Sequence, residues 1–258
     1  MTTTISLIYS LVIFIVLLIT EEFFRRYPRF TLAFFLIVSV VLFSCWILLT
    51  GFLDWFPWVK VLSVALGIIV FSIFRNTKLG NTKLCQWTVY LLLVVNIIEA
   101  IIRDMVGGNI ANYLNAIAGV LLIATLDKIN TIHIDTEERY KDLSWKSMTM
   151  PWIIGYTLWN WVFVYLNFGF QSSIQHIAVL GSALIIAFIN KARWLQARVF
   201  TLGTYFIIFH SAPHLNYRLL TDTPNEQFGF FMAMIAFWFM AVYAVFFIKF
   251  RNVKSVMM

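Results

Sequence analysis

The sequence predicts an all-α protein, a polytopic bundle of about nine transmembrane helices that forms a single membrane-embedded domain over residues 1–258. Hydrophobic residues make up 61% of the chain, charged residues only 12%, and the mean hydropathy is +0.85. A soluble domain is about half apolar and about a quarter charged. The apolar residues form continuous runs, unlike the short alternating strands of a membrane barrel. These features argue against a soluble enzyme, a nucleic-acid reader and a disulfide scaffold.

Nine apolar runs approach or exceed the length of about 17 to 20 residues that a helix needs to cross the hydrocarbon. The predicted spans are 4–20, 30–52, 58–75, 86–105, 109–127, 150–167, 172–190, 197–214 and 228–250. Turn-forming residues separate several of them, as at Gly107-Gly108 and Asn167-Phe168-Gly169. The first run has no basic segment before it and no small-residue cleavage site after it, which favours a retained helix over a signal peptide.

The distribution of basic residues predicts the orientation. With nine spans and the N-terminus outside, sixteen of the nineteen lysines and arginines fall on the cytoplasmic side, and only Lys60, Arg103 and Arg218 fall on the other. Such a bias is typical of cytoplasmic loops, so we expect a multi-pass cell-membrane protein with its C-terminus in the cytoplasm. The longest loop, 128–149, is interpreted as a solvated linker because its carboxylates and single histidine lack zinc-ligand spacing.

Polar side chains at membrane depth provide the candidate site. Ionisable residues in a span are costly and by default face the bundle interior or a wet cavity. Glu99 and Arg103 are an i,i+4 pair of opposite charge on one helix face. The candidate substrate- or ion-binding residues are Asn96, Glu99, Arg103, Asp104, Asn112, Asn115, Tyr156 and Asn160. Most lie in the middle or outer half of their spans, which favours a shared outward-opening cavity. Structural helix–helix contacts are the alternative for each.

Several motifs occur in one order over most of the chain. They are Glu22 with Arg25-Arg26, WFPWVKVLS at 55–63, NIIEAIIRD at 96–104, NAIAG at 115–119, WIIGYTLWN at 152–160 and KARWLQAR at 191–198. In these motifs the chain resembles a family of bacterial multi-pass membrane proteins known only as a domain of unknown function. The resemblance implies a membrane-embedded fold in a bacterial plasma membrane and supplies no activity. The family pattern has Asp at the position of Thr157 and no histidine at positions 210 and 214, which favours the candidate residues over those histidines.

Three functions remain open. The favoured one is a transporter or channel for a small polar solute or ion, which would exchange contacts with the charged pair and the amides. The second is a structural or sensory membrane protein whose polar groups only hold helices together. The third is a membrane-embedded enzyme for lipid-like substrates, with Asp104, Glu99 or His210 as acid–base candidates.

The remaining expectations concern chemistry and partners. No catalytic residue is assigned, because no nucleophile–base or metal-ligand spacing is present. We therefore expect neither a metal nor a cofactor and favour a role that is not enzymatic. The expected partners are membrane lipids and a small polar solute or ion, without nucleic acid, and the oligomeric state is left open.

Overall fold

The computed structural model describes residues 3–50, 55–137, 139–211 and 223–256. Most of these residues belong to helices: α1 (Thr3–Arg26), α2 (Pro28–Thr50), α3 (Trp55–Asn76), α4 (Lys83–Gly107), α5 (Ile110–Ala124), α6 (Met150–Ile189), α7 (Trp194–Ser211) and α8 (Glu226–Val256). Short 3-10 helices occupy Lys78–Asn81, Ile129–Thr131 and Lys191–Arg193. A small antiparallel sheet pairs β1 (Ile132–Ile134) with β2 (Leu143–Trp145). Apart from this sheet, the all-α prediction is confirmed.

Helix α6 consists of two arms joined at Gly169. The backbone there has φ 82° and ψ −179°, a conformation that glycine adopts much more readily than other residues. Nε2 of His176 is hydrogen-bonded to Oδ1 of Asn160 at 2.7 Å, although sixteen residues of straight helix would separate the two by about 24 Å. The two arms, 150–168 and 170–189, therefore lie antiparallel. Their bounds agree closely with the separate predicted spans 150–167 and 172–190.

Several helices have the length and apolarity of membrane spans. In the described part of the chain four helices meet both criteria: Ser6–Arg26, Val59–Asn76, Met150–Ile189 and Glu226–Lys249. The third of these contains both arms of α6. Two shorter apolar helices cover Pro28–Val41 and Ile110–Ala124. The chain thus has the helices of a membrane protein, and the last residues of the predicted spans 30–52 and 197–214 lie outside the described residues.

Helix α6 lies at the centre of the bundle, where it packs against α1, α5, α7 and α8. Its first arm contributes Trp152, Tyr156 and Trp159 to an aromatic stack that Trp194 of α7 joins edge-on. All four rings are buried. Close approach of other helices occurs at glycines, as where Gly203 of α7 meets Ile68 of α3. This packing holds α3, α4, α6 and α7 around the polar groups described below.

One end of the bundle, which we call the basic end, gathers the C-terminal ends of α1 and α3, the segment 128–149 and the start of α7. Asp142 is fully buried there. Its carboxylate accepts hydrogen bonds from Nε of Arg25 at 2.8 Å and Nε2 of Gln196 at 2.9 Å, and Nε of Arg193 lies 3.4 Å away. The interpretation of 128–149 as a solvated linker is therefore wrong. Its buried residues meet partners that lie far away in sequence.

The electrostatics of the basic end favour an ionised Asp142. Burial by itself raises the pKa of this carboxyl group. The hydrogen bonds from Gln196 and Arg25 and the positive charges of Arg193 and Arg25 have the opposite effect, and the net result is a lowered pKa. Arg75 also connects α3 with the end of α1 and with the 128–149 segment, because its buried guanidinium donates to the carbonyl groups of Phe24, Arg25, Tyr140 and Lys141.

Candidate functional site

The first group of predicted polar residues forms what we call the Asp104 knot. Asp104 of α4 is fully buried. Its Oδ1 accepts from Nδ2 of Asn112 at 3.0 Å and from Nδ2 of Asn167 at 2.6 Å, and its Oδ2 accepts from Nδ2 of Asn115 at 2.7 Å. These three amides come from α5 and from the first arm of α6. The knot therefore ties three helices together with both carboxyl oxygens already occupied by donors.

The tight connection between α4 and α5 explains why these residues meet. Gly108 follows α4 with φ 72°, in the left-handed region. Asn109 then caps α5, because its Oδ1 accepts from the backbone N–H of Asn112 at 2.9 Å. A Cβ atom on Gly107 would lie 3.0 Å from the Asn112 side chain. The absence of a side chain at Gly107 thus lets Asn112 fold back onto Asp104.

Glu99 belongs to a second polar group, one to two turns earlier on α4. Its Oε2 lies 3.2 Å from Nζ of Lys60 and accepts a hydrogen bond from Oγ of Ser63 at 3.1 Å. Both partners are on α3, so this ion pair joins two helices. The sequence prediction had paired Glu99 with Arg103 on its own helix and missed this inter-helix partner. Arg103 is half-buried further along α4.

Arg198 is the most distinctive residue of this second group. It is only 4% exposed. Its Nη2 donates to Oδ1 of Asn160 at 3.3 Å, and the same oxygen is hydrogen-bonded to Nε2 of His176 at 2.7 Å. Nε and Nη1 of Arg198 have no hydrogen-bond partner among the residues that the structure describes. The sequence analysis counted Arg198 with the cytoplasmic loop residues, and its burial inside the bundle corrects that assignment.

A small cavity adjoins Arg198 about halfway along α3 and α4. We call it the Arg198 cavity, and its volume is about 50 Å³. Its polar lining comes from Ser63, Asn96, Tyr156 and Arg198, and its other walls are mostly aliphatic and aromatic side chains of α3, α4 and α7. A water molecule accounts for about 30 Å³ of liquid. The cavity therefore has room for a small ion or a few water molecules.

The charges around the cavity are predominantly positive. Lys60 and Arg198 lie within electrostatic range of each other and of His176. Lys60 and Arg198 carry two positive charges and Glu99 carries one negative charge, so the formal net charge of these three groups is +1. Among the described residues no three His, Cys, Asp or Glu side chains lie close enough together to hold a metal ion. The unused groups are the N–H donors of Arg198, which suit an anion.

Seven of the eight predicted site residues, all except Arg103, thus separate into two places. Asn96, Glu99, Tyr156 and Asn160 meet at or beside the cavity, whereas Asp104, Asn112 and Asn115 belong to the knot. The prediction did not select Lys60, Ser63, His176 and Arg198. The sequence did contain an indication that Arg198 belongs to the site, since this arginine lies inside the predicted span 197–214 and ionisable residues within spans were the criterion for candidates. The side chain of His210 and the whole of His214 lie outside the described residues.

Comparison with known proteins gives a family without an assigned activity. A family model described as "Family of unknown function (DUF5692)" matches residues 1–257. No curated protein and no solved structure matches the chain. Any functional conclusion therefore depends on the geometry above.

Proposed function

This chain belongs to the DUF5692 family of unknown function, and we propose that it is a membrane transporter or channel that binds a small inorganic anion at Arg198. The observation that carries the proposal is a buried guanidinium beside a cavity, with two nitrogen atoms, Nε and Nη1, that have no hydrogen-bond partner among the described residues. An unpaired charge at membrane depth is costly, and ionisable groups there usually serve a substrate or ion pathway. A bound anion would supply both the missing acceptors and the missing charge.

The size and polarity of the cavity define the substrate class. At about 50 Å³ the cavity suits a monatomic or similarly small anion. Its apolar walls strengthen electrostatic attraction because they exclude water. Asn96 and Tyr156 supply further polar groups for a partly dehydrated ion. The sequence predicted a small polar solute or ion, and the donors of Arg198 narrow this class to an anion.

The ion pair between Glu99 and Lys60 suggests how an anion would be exchanged. Ser63 contacts Glu99 and also lines the cavity, so it connects the pair with the binding position. An anion near Lys60 would compete with Glu99 for the ammonium group, and Glu99 would oppose its retention. Conduction requires binding that is weak enough for release. Glu99 is therefore assigned the role of limiting the affinity for the anion.

We place this site in a bundle that crosses the membrane nine times, with the N-terminus outside and the basic end in the cytoplasm. The antiparallel arms of α6 support counting them as two crossings. The presence of Arg25, Arg75 and Arg193 at one end supports the predicted alternation of the spans. Cysteine labelling from outside tests this orientation, because a cysteine at the exposed Phe170, beside the junction of the two arms of α6, should react and one at Lys191 should not.

Anion-dependent thermal stability tests the proposed binding. Purified protein in detergent should melt at a higher temperature in sodium chloride than in sodium gluconate of equal ionic strength, because a ligand that binds only the folded state stabilises it. Arg198→Met should lose this difference. Arg139→Gln, which removes an exposed arginine outside the bundle, is the matched control and should keep it.

Two results would contradict the anion site: equal melting temperatures of the wild type in the two salts, or a chloride response that survives Arg198→Met. Movement of the ion needs a separate measurement, which is chloride efflux from vesicles that contain the protein. Binding without efflux would retain the anion site and support the sensory alternative. The Asp104 knot supports a structural role for part of the set, because three of the eight predicted site residues, Asp104, Asn112 and Asn115, connect helices there.

A further inference from the structure

A groove on the side of the bundle, at the basic end, is separate from the Arg198 cavity. It lies between α5 and α8 and extends to the starts of α4 and α6, with a volume of about 1480 Å³. Pockets for drug-sized ligands have volumes of about 300 to 1,000 Å³. We call it the lysine groove, because Lys128, Lys146 and Lys191 line it at one end. Its size and its open flank suit an elongated ligand.

The apolar part of the groove is formed mainly by α8. Trp238, Val242 and Phe246 line it and are exposed, each by more than half of its surface. Trp87 of α4 is similarly exposed on the opposite side. Exposed apolar surface on a membrane-length helix is suited to contact with acyl chains, and tryptophan is common at the level of the headgroups.

The polar end of the groove is organised by hydrogen bonds. The carbonyl oxygen of Lys128 accepts from the ring nitrogen of Trp145 at 3.2 Å and from Oγ1 of Thr131 at 2.8 Å. Lys146 directly follows Trp145, so the same contacts hold its backbone. These bonds fix the chain positions of two lysines that come from either side of the small sheet.

The charge of this end is positive. Lys128, Lys146 and Lys191 have no ion-pair partner among the described residues. Asp127 also lines the groove, and its carboxylate accepts from the backbone N–H of Lys128 at 2.7 Å. The four side chains together carry two net positive charges.

We propose that the lysine groove binds one anionic phospholipid, with the phosphate headgroup at the three lysines and the acyl chains along α5 and α8. A basic pocket beside apolar helix surfaces matches both parts of such a lipid. A phospholipid without net charge has the same acyl chains, but it has no net electrostatic attraction to the two net positive charges of the groove. This inference is independent of the anion proposed at Arg198, because the two sites share no residue.

Native mass spectrometry of the detergent-solubilised chain tests the proposal, with phosphatidylglycerol and phosphatidylcholine of identical acyl chains as probes. The wild type should retain one phosphatidylglycerol with a preference of about thirtyfold, since each net lysine charge near an anionic lipid contributes about fivefold in affinity. The combined variant Lys128→Gln, Lys146→Gln and Lys191→Gln should abolish this preference. Because Asp127 then leaves one net negative charge, the same rule allows a reversal of up to about fivefold in favour of phosphatidylcholine.

The matched control changes three exposed basic residues at the same end but outside the groove: Lys78→Gln, Lys83→Gln and Lys141→Gln. It should keep the preference, because it removes the same charge elsewhere. Equal losses in both triple variants would overturn the site in favour of a general surface attraction. Equal retention of both lipids by the wild type would overturn it without any variant, and so would a dimer that excludes lipid from the groove.

Ala124→Phe tests the apolar half independently of charge. Ala124 lines the groove at the end of α5 and is exposed. A phenyl ring there should reduce retention of both phospholipids by a similar factor and leave their ratio unchanged. Unchanged retention of both would show that the acyl chains lie elsewhere and would contradict the proposed position.

Discussion

The Asp104 knot and the Arg198 cavity are two buried polar regions of the same bundle that use their hydrogen-bonding capacity differently. In the knot both carboxyl oxygens of Asp104 accept hydrogen bonds. Among the described residues of the knot, the one buried side-chain atom without a hydrogen-bond partner is a neutral acceptor, Oδ1 of Asn115. At the cavity two nitrogen atoms of the Arg198 guanidinium have no hydrogen-bond partner within the part of the chain that the structure describes. A carboxylate whose oxygens all accept hydrogen bonds is suited to helix packing, whereas a guanidinium with free N–H donors is suited to binding a ligand. The fraction of buried polar groups that have hydrogen-bond partners therefore distinguishes the two regions better than their depth in the bundle or their charge does.

The largest expected effect is on stability and comes from the knot. Asp104→Ala leaves the amides of Asn112, Asn115 and Asn167 without their shared acceptor. Since a buried donor without a partner costs about 1 to 3 kcal/mol, we expect a loss of about 4 kcal/mol in the free energy of unfolding. Denaturation in detergent measures it. Asp135→Ala, a half-buried carboxylate at the basic end, is the control and should change stability by less than about 0.5 kcal/mol. Loss of chloride binding by Asp104→Ala at unchanged stability would refute the distinction between the regions.

A smaller effect is expected from Glu99→Gln, and it should increase chloride affinity. A negative charge about 10 Å from a bound anion disfavours it by about 1.7 kcal/mol at an effective dielectric constant near 20, so affinity should rise about twentyfold. Chloride titration followed by tryptophan fluorescence measures the change. Glu22→Gln, an ion-paired glutamate at the basic end, is the matched control and should leave the affinity unchanged. Weaker chloride binding after Glu99→Gln would show that Glu99 does not oppose the anion.

The smallest effect comes from Gly67, which lines the cavity and has open space where a Cβ atom would lie. Gly67→Ala should raise the free energy of unfolding by about 0.5 to 1 kcal/mol, because alanine is the better helix former. It should weaken chloride binding about tenfold, since a methyl group changes the fit of a small pocket by that order.

Gly181→Ala is the matched control for Gly67→Ala. Its Cβ atom would meet Phe14 at an ordinary contact distance of 3.4 Å, outside the cavity. The same gain in stability is expected there without any change in chloride binding. If both substitutions weaken binding equally, the space beside Gly67 is not the position of the anion.

The sequence predicted the helices and the positions of several polar residues, but it could not predict their partners. Apolar runs and the glycine at position 169 gave the two arms of α6, because both signals are local. The cost of a charge at membrane depth predicted that Glu99 and Asp104 face the bundle interior, and both side chains are buried. Periodicity along α4 placed Glu99 on one face with Arg103. It could pair Glu99 only with residues of its own helix, whereas the partner Lys60 belongs to α3. Inter-helix contacts depend on packing that no single helix encodes.

The missed residues show the same limit. Arg198 lies one turn inside α7, where an arginine that reaches back to the membrane surface has the same sequence pattern as a buried one. Asp142 lies in a polar segment whose composition predicts a solvent-exposed loop. It is buried because the fold places Arg25, Arg193 and Gln196 against it, and the local sequence does not show these contacts. Charge counting treats all three arginines as topology signals, although the fold gives each of them an internal partner, Asn160 for Arg198 and Asp142 for Arg25 and Arg193.

The four carbonyl groups bound by Arg75 also order the events of biosynthesis. Phe24 and Arg25 precede it in the chain, so their bonds can form once α1 and α3 have left the ribosome. Tyr140 lies 65 residues later. At about 5 to 20 residues per second, translation needs about 3 to 13 s to deliver it. During that interval only the carbonyl groups of Phe24 and Arg25 are available to the guanidinium, and the later synthesis of the 128–149 segment adds the contact between the first and second halves of the chain.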